Sequence, residues 1–134
     1  MSLSLDGRVA LITGAGSGIG RSHAVLMAER GADLIINDVN AKGLDETADR
    51  ASANGGKIIR IDHDVSDIDG MADKTRAAET ELGKIDILVN NAGITKDNLT
   101  IRMNQDEWNN VINVNLNSSF HLLKHFTKKM VKKR

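Results

Sequence analysis

The chain has 134 residues, enough for one core and too few for two. Eighteen basic residues balance eighteen acidic ones, so the net charge is zero and nothing in the charge favours nucleic acid or an anionic membrane. Cysteine, proline and tyrosine are all absent, which excludes disulfides, thiolate metal sites and cysteine nucleophiles and leaves an aliphatic core. No apolar run is long enough for a membrane span, and the first twenty residues lack a signal-peptide pattern. A cytoplasmic protein is the expectation.

Strand and helix patterns alternate four times. Residues Met1–Asp6 read as a loose lead-in. Arg8–Thr13 is a short apolar run closed by glycines, as expected of a strand buried on both faces. Gly18–Arg30 reads as a helix with Ile19, Ala24, Leu26, Met27 and Ala28 on its apolar side, stopped by Gly31. Asp33–Asn37 is a second buried run, and Ala41–Ala53 a helix ended by Asn54-Gly55-Gly56. Lys57–Asp62 is a third strand. Ser66 or Asp67 caps a helix that runs to about Leu82, before Gly83. Ile85–Asn90 is a fourth strand, followed by the turn Asn91-Ala92-Gly93.

The last helix is expected from near Asp106 towards Val131. Its apolar stripe is Trp108, Ile112, Leu116, Phe120, Leu123, Phe126 and Met130, widened by Val111, Val114 and Leu122. That stripe is broader than one sheet face needs, which hints at a second contact. The terminal run of Lys128, Lys129, Lys132, Lys133 and Arg134 suits a helix C-terminus and solvent. Four strands each followed by a helix imply parallel pairing through right-handed crossovers. The fold class is therefore α/β, a Rossmann-like three-layer half-fold in one domain over 1–134, with strand order 3-2-1-4.

The chemistry starts at Thr13-Gly14-Ala15-Gly16-Ser17-Gly18-Ile19-Gly20, between the first strand and first helix. Glycine there permits a tight turn, lets backbone N–H groups approach a pyrophosphate, and lets the helix pack close to the strand. The helix N-terminus then offers free donors and a positive dipole end. Asp38 ends the second strand, 18 residues after Gly20. A carboxylate there accepts from the adenosine ribose hydroxyls and repels a 2′-phosphate, so NAD is expected over NADP. The alternative is that Asp38 only caps the turn leading to Asn40. No arginine lies in the glycine loop or just after the second strand.

Thr13-Gly14-x-x-x-Gly18-x-Gly20, then Asp64-Val65, then Asn90-Asn91-Ala92-Gly93, resembles the short-chain dehydrogenase/reductase family. The tract Gly93–Leu116 resembles in particular its bacterial branch of 3-oxoacyl-thioester reductases. The resemblance covers the whole chain. It implies cofactor contacts from Thr13, Gly14, Ser17, Gly18, Ile19, Gly20 and Asp38. It implies that Asp64 meets the adenine amino group and that Val65 lies beside the ring. It implies that Asn91, Ala92 and Gly93 line the crevice, with Thr13 holding their turn. Asn115 matches the family's active-site asparagine, which supports a catalytic lysine through a water.

Other readings of these residues remain open: Asp64 as a helix cap, Asn91 and Gly93 as a plain turn, Asn115 as a helix-surface residue. His121 and His125 are four apart but lack a carboxylate partner, so no metal is expected. The family continues into a Ser and Tyr-x-x-x-Lys segment that these residues do not contain. The resemblance therefore implies a dinucleotide-binding half, inactive alone. The open edge of the fourth strand and the apolar faces left bare there lead to the expectation of a homodimer, through that strand or the last helix. The alternatives are a self-associating scaffold without cofactor and one half of a split reductase.

Overall fold

A computed structural model describes residues 4–133. Met1–Leu3 of the expected lead-in and Arg134 of the basic run lie outside the described residues. The element order is β1 (Val9–Thr13), α1 (Gly18–Glu29), β2 (Asp33–Asp38), α2 (Ala41–Ser52), β3 (Ile58–Asp62), α3 (Ile68–Leu82), β4 (Ile87–Val89), α4 (Gln105–Ile112), a π-turn (Asn113–Asn117) and α5 (Ser118–Lys132). The four strands form one parallel sheet in the order β3-β2-β1-β4.

β1 is central, and all five of its residues are buried. Its side chains alternate between two layers, as the pleat requires. Val9 and Leu11 join Ile35, Met71, Ala78, Leu122 and Phe126 on the α3–α5 face. Ala10 and Ile12 join Ala24, Leu34, Ile36, Leu44 and Ala48 on the α1–α2 face. The buried line of α1 is Gly20, Ala24 and Ala28, small residues that bring the helix close to the sheet. Ile19 and Leu26, expected on that apolar side, are exposed.

The lead-in is partly docked. The Leu5 N–H donates to the Arg30 carbonyl at 2.7 Å, and the Leu5 side chain packs on the α1–α2 layer. The fourth strand is shorter than expected, because only Ile87–Val89 pairs with β1. Ile85 is buried and Asp86 turns inward to accept from the Val9 N–H at 2.9 Å, so both serve the fold outside the ladder.

The largest departure is in the last helix. The buried line on α5 and the π-turn is Val114, Ser118, Leu122 and Phe126, with Met130 packed against it. Trp108, Leu116, Phe120 and Leu123, expected to face the core, are each more than half exposed. The buried line runs in steps of four from Val114 to Met130, and at about 100° per residue Leu123 and Phe120 stand about 60° and 120° around the axis from Phe126. The π-turn interrupts the helix between Trp108 and that line.

Candidate functional site

The carboxyl ends of the four strands open into a crevice of about 330 Å³. Gly14 lines it from the end of β1, Asp38 from β2, His63, Asp64 and Val65 from beyond β3, and Ala92 and Gly93 from beyond β4. The chain leaves β1 for β2 on one side and reaches β4 on the other. A crevice at that reversal is where open α/β sheets bind ligands.

The glycine turn is built by contact as well as by backbone freedom. A Cβ on Gly20 would stand 2.1 Å from the Gly14 carbonyl oxygen, so only glycine lets α1 begin here. Gly18 has a φ of +52°, and nothing lies within 4 Å of where its Cβ would be. Ser17 caps α1 without using its side chain, and the first turn holds no acidic residue. The N–H groups that a helix leaves unpaired at its start thus face open space with a positive end. That donor set fits a pyrophosphate.

Thr13 joins the glycine turn to the end of β4. It is buried, and its Oγ1 accepts from the Asn91 and Ala92 N–H groups at 3.1 and 3.0 Å. The Asn91 side chain donates back to the Gly14 carbonyl at 3.1 Å. The Asn91-Ala92-Gly93 turn is therefore fastened to β1 from two directions. A plain surface turn would need neither bond.

Asp38 Oδ2 accepts from the Gly16 N–H at 2.8 Å, and Oδ1 from the Asn40 N–H at 3.0 Å. It does cap the turn to Asn40, as one of the two readings expects. An ionised carboxylate has about four acceptor positions, so two remain for a ligand in the crevice. Asp64 Oδ1 accepts from both the backbone and the hydroxyl of Ser66, at 2.9 and 2.8 Å. The cap of α3 is Asp67, which accepts from the Gly70 N–H, so Asp64 is not a helix cap. Val65 is buried beneath it. His63 lies 2.6 Å from Asp67, and that bond holds the Asp67 carboxyl below its ordinary range.

Asn115 sits in the π-turn. Its Oδ1 accepts from the Ile94 N–H at 2.8 Å, and its Nδ2 donates to the Ile94 carbonyl at 2.9 Å. Both ends of the amide are spent on one backbone residue, so the side chain fixes Ile94 over the crevice. It is exposed on the helix surface, as the alternative reading has it, with its side chain engaged. Its backbone carbonyl also accepts from the Ser119 hydroxyl at 3.4 Å.

Sequence reasoning missed three residues. Asn37 is fully buried and donates to the carbonyls of Ile61 and His63 at 2.9 and 2.8 Å, joining the ends of β2 and β3 beside the crevice. A polar residue closing an otherwise apolar strand was its only signal. Arg21 and Thr47 meet at 2.9 Å across 26 residues and reach the glycine turn, so an arginine does stand at that loop. Nothing local in the sequence announces that pair. Among the described residues no group of three or more His, Asp or Glu is placed to hold a metal ion. No helix among them is long and apolar enough to cross a membrane.

A parallel 3-2-1-4 sheet, a glycine turn under a helix N-terminus and an acidic residue ending β2 together define a dinucleotide-fold protein. The short chain dehydrogenase family model matches residues 8–134, and the chain belongs to that family. It is 43% identical over 132 residues to 3-oxoacyl-[acyl-carrier-protein] reductase FabG of Escherichia coli K12, covering 98% of this chain and 53% of that protein. The FabG of Thermotoga maritima is 39% identical, with 98% and 54% covered. The chain thus spans about half the length of the curated relatives it matches. Carveol dehydrogenase from Mycobacterium avium in complex with NAD superposes with a TM-score of 0.89 at 30% identity, over 96% of this chain and 51% of that one. A 7α-hydroxysteroid dehydrogenase complexed with NADH and 7-oxo glycochenodeoxycholic acid gives 0.91 at 33% identity, over 98% and 51%.

Proposed function

We propose that these residues form the NAD-binding part of a short-chain oxidoreductase of the 3-oxoacyl-thioester reductase type. The observation that carries this is Asp38, braced by two backbone N–H groups at the mouth of the crevice. It accepts from the adenosine ribose hydroxyls and repels a 2′-phosphate, which favours NAD over NADP. Ser17, Gly18, Ile19 and Gly20 meet the pyrophosphate, with Thr13 and Gly14 shaping the turn. Asp64 meets the adenine amino group and Val65 the ring. Asn91, Ala92 and Gly93 border the far end of the crevice, and Asn115 positions them through Ile94.

The bound dinucleotide supplies or accepts a hydride; this chain binds and orients it. These residues contain no tyrosine, so the proton transfer that the family assigns to tyrosine needs a group from outside them. We therefore expect cofactor binding without turnover of a 3-oxoacyl thioester by this chain alone, in the cytoplasm. The exposed Trp108, Leu116, Phe120 and Leu123 support a homodimer through the last helix. They also favour the second reading, a self-associating scaffold in which no cofactor binds. Titration of the Asp38→Ala variant tests the proposal. The NAD-to-NADP affinity ratio should fall about tenfold or more. An unchanged ratio would remove the ribose role.

A further inference from the structure

We infer that Arg21 and Thr47 are positioning residues that set the cofactor preference of the crevice through a hydrogen-bond relay ending on Asp38. The inference rests on the dinucleotide reading above and deepens it. Arg21 Nε donates to Thr47 Oγ1 at 2.9 Å. A guanidinium cannot accept, so the hydroxyl must receive this bond and send its own proton onward. Two carbonyls are in reach of that proton, Ala15 at 2.7 Å and Gly43 at 3.0 Å. Arg21 Nη2 also donates to the Gly43 carbonyl at 3.2 Å, which leaves Ala15 as the nearer and otherwise less satisfied acceptor.

The Ala15 carbonyl and the Gly16 N–H belong to one peptide group. Thr47 holds its oxygen and Asp38 Oδ2 holds its N–H, at 2.8 Å. Polarisation along such a chain strengthens each bond and fixes the plane of the peptide. Arg21 Nη2 further holds the next carbonyl, that of Gly16, at 2.5 Å. The Asp38 carboxylate is thus aimed by a guanidinium that need not touch the ligand. Thr47 is fully buried and the Arg21 side chain is 17% exposed, so water does not readily substitute for either. Gly43 completes the device, because a Cβ there would stand 2.5 Å from the Gly16 carbonyl oxygen.

Without the guanidinium, the Thr47 hydroxyl is free to turn to Gly43, the usual partner of a helical threonine. Ala15 then loses its donor, and the peptide that braces Asp38 can rotate. Arg21→Met keeps the apolar stem and removes the relay. Thr47→Val keeps the shape and removes the hydroxyl, whereas Thr47→Ser retains it.

The test is calorimetric titration of the full 134-residue chain and these three variants with NAD and with NADP. Amide exchange at Gly16 is measured by NMR on the unliganded proteins. Arg21→Met and Thr47→Val should each lower the NAD-to-NADP ratio about tenfold and accelerate Gly16 exchange, and Thr47→Ser should restore both. Equal weakening towards both cofactors would reduce the pair to a structural role and overturn the proposal. Unchanged Gly16 exchange would overturn it as well. If the parent chain binds neither cofactor, the dinucleotide reading fails, and the proposal of a cofactor-setting role fails with it. The exchange experiment still reports on its own whether the relay exists.

Discussion

The first half of the chain and its last third are built to different standards. From β1 to β3, the crevice side is braced repeatedly: Thr13 takes two N–H groups, Asp38 takes two, and Asn37 spans two strand ends. From Ala92 onward the chain holds to the body by the Ala92 N–H on Thr13, by the Val114–Phe126 line and by a surface Lys129–Glu79 pair, while Asn115 ties it only to its own Ile94. It leaves Trp108, Leu116, Phe120, Leu123 and Val131 of the π-turn and its flanking helices exposed. A site that must hold a ligand within a fraction of an ångström needs a rigid surround. A face that awaits another surface needs only one anchored side. The contrast separates a heavily braced crevice from a helical face anchored on one side only.

Substitutions on the two faces of α5 should break that contrast most sharply. Phe126→Ala removes a buried ring and should cost about 3–5 kcal/mol in chemical denaturation. Phe120→Ala, six residues earlier and 57% exposed, should cost under about 1 kcal/mol. Equal losses would mean that the faces have been assigned wrongly. Next is Gly20→Ala. Its Cβ would meet the Gly14 carbonyl at 2.1 Å and the Asn91 amide nitrogen at 2.5 Å, and we expect a loss of about 3 kcal/mol in thermal unfolding, with cofactor binding gone.

A smaller effect concerns Asp86, where the two halves meet. Burial pushes its pKa up, but the Val9 N–H, Lys84 and Arg8 outweigh burial and leave it below its ordinary value of 3.8. The native state binds this proton less readily than the unfolded chain. Its contribution is therefore present in full above pH 3.8 and lost as pH falls through the lowered native value. Asp86→Asn should cost about 1–2 kcal/mol at neutral pH and flatten this part of the acid limb of a stability curve. An unaltered limb would show that the ion pairs with Arg8 and Lys84 do not matter.

The smallest change in folding stability belongs to the exposed face. Leu116→Glu with Phe120→Glu should leave thermal stability within about 0.5 kcal/mol per site while turning a dimer into a monomer in analytical ultracentrifugation. A parent chain that is already monomeric would remove the homodimer.

The sheet order was legible because each strand is a short apolar run and each crossover has one allowed hand. The glycine turn and Asp38 were legible because their chemistry is local: the glycines sit within eight residues and the acid ends the next strand. Phe120 and Leu123 were misplaced because a stripe counted in mixed steps of three and four is wider than the line of fours that the sheet buries. Ile19 and Leu26 were misplaced because a glycine–alanine line outcompeted larger residues for the sheet, through close approach. Arg21 and Thr47 were invisible because their bond joins two helices.

The central claim is that the braced crevice is a working dinucleotide site with a preference set at Asp38. Calorimetric titration of the unmodified chain with NAD, and in parallel with NADP, tests it most directly. The account predicts saturable binding of NAD and binding of NADP weaker by about tenfold or more. Equal affinity for the two would contradict the role of Asp38. No heat with either at millimolar concentration would contradict the site itself and leave the self-associating scaffold as the better description.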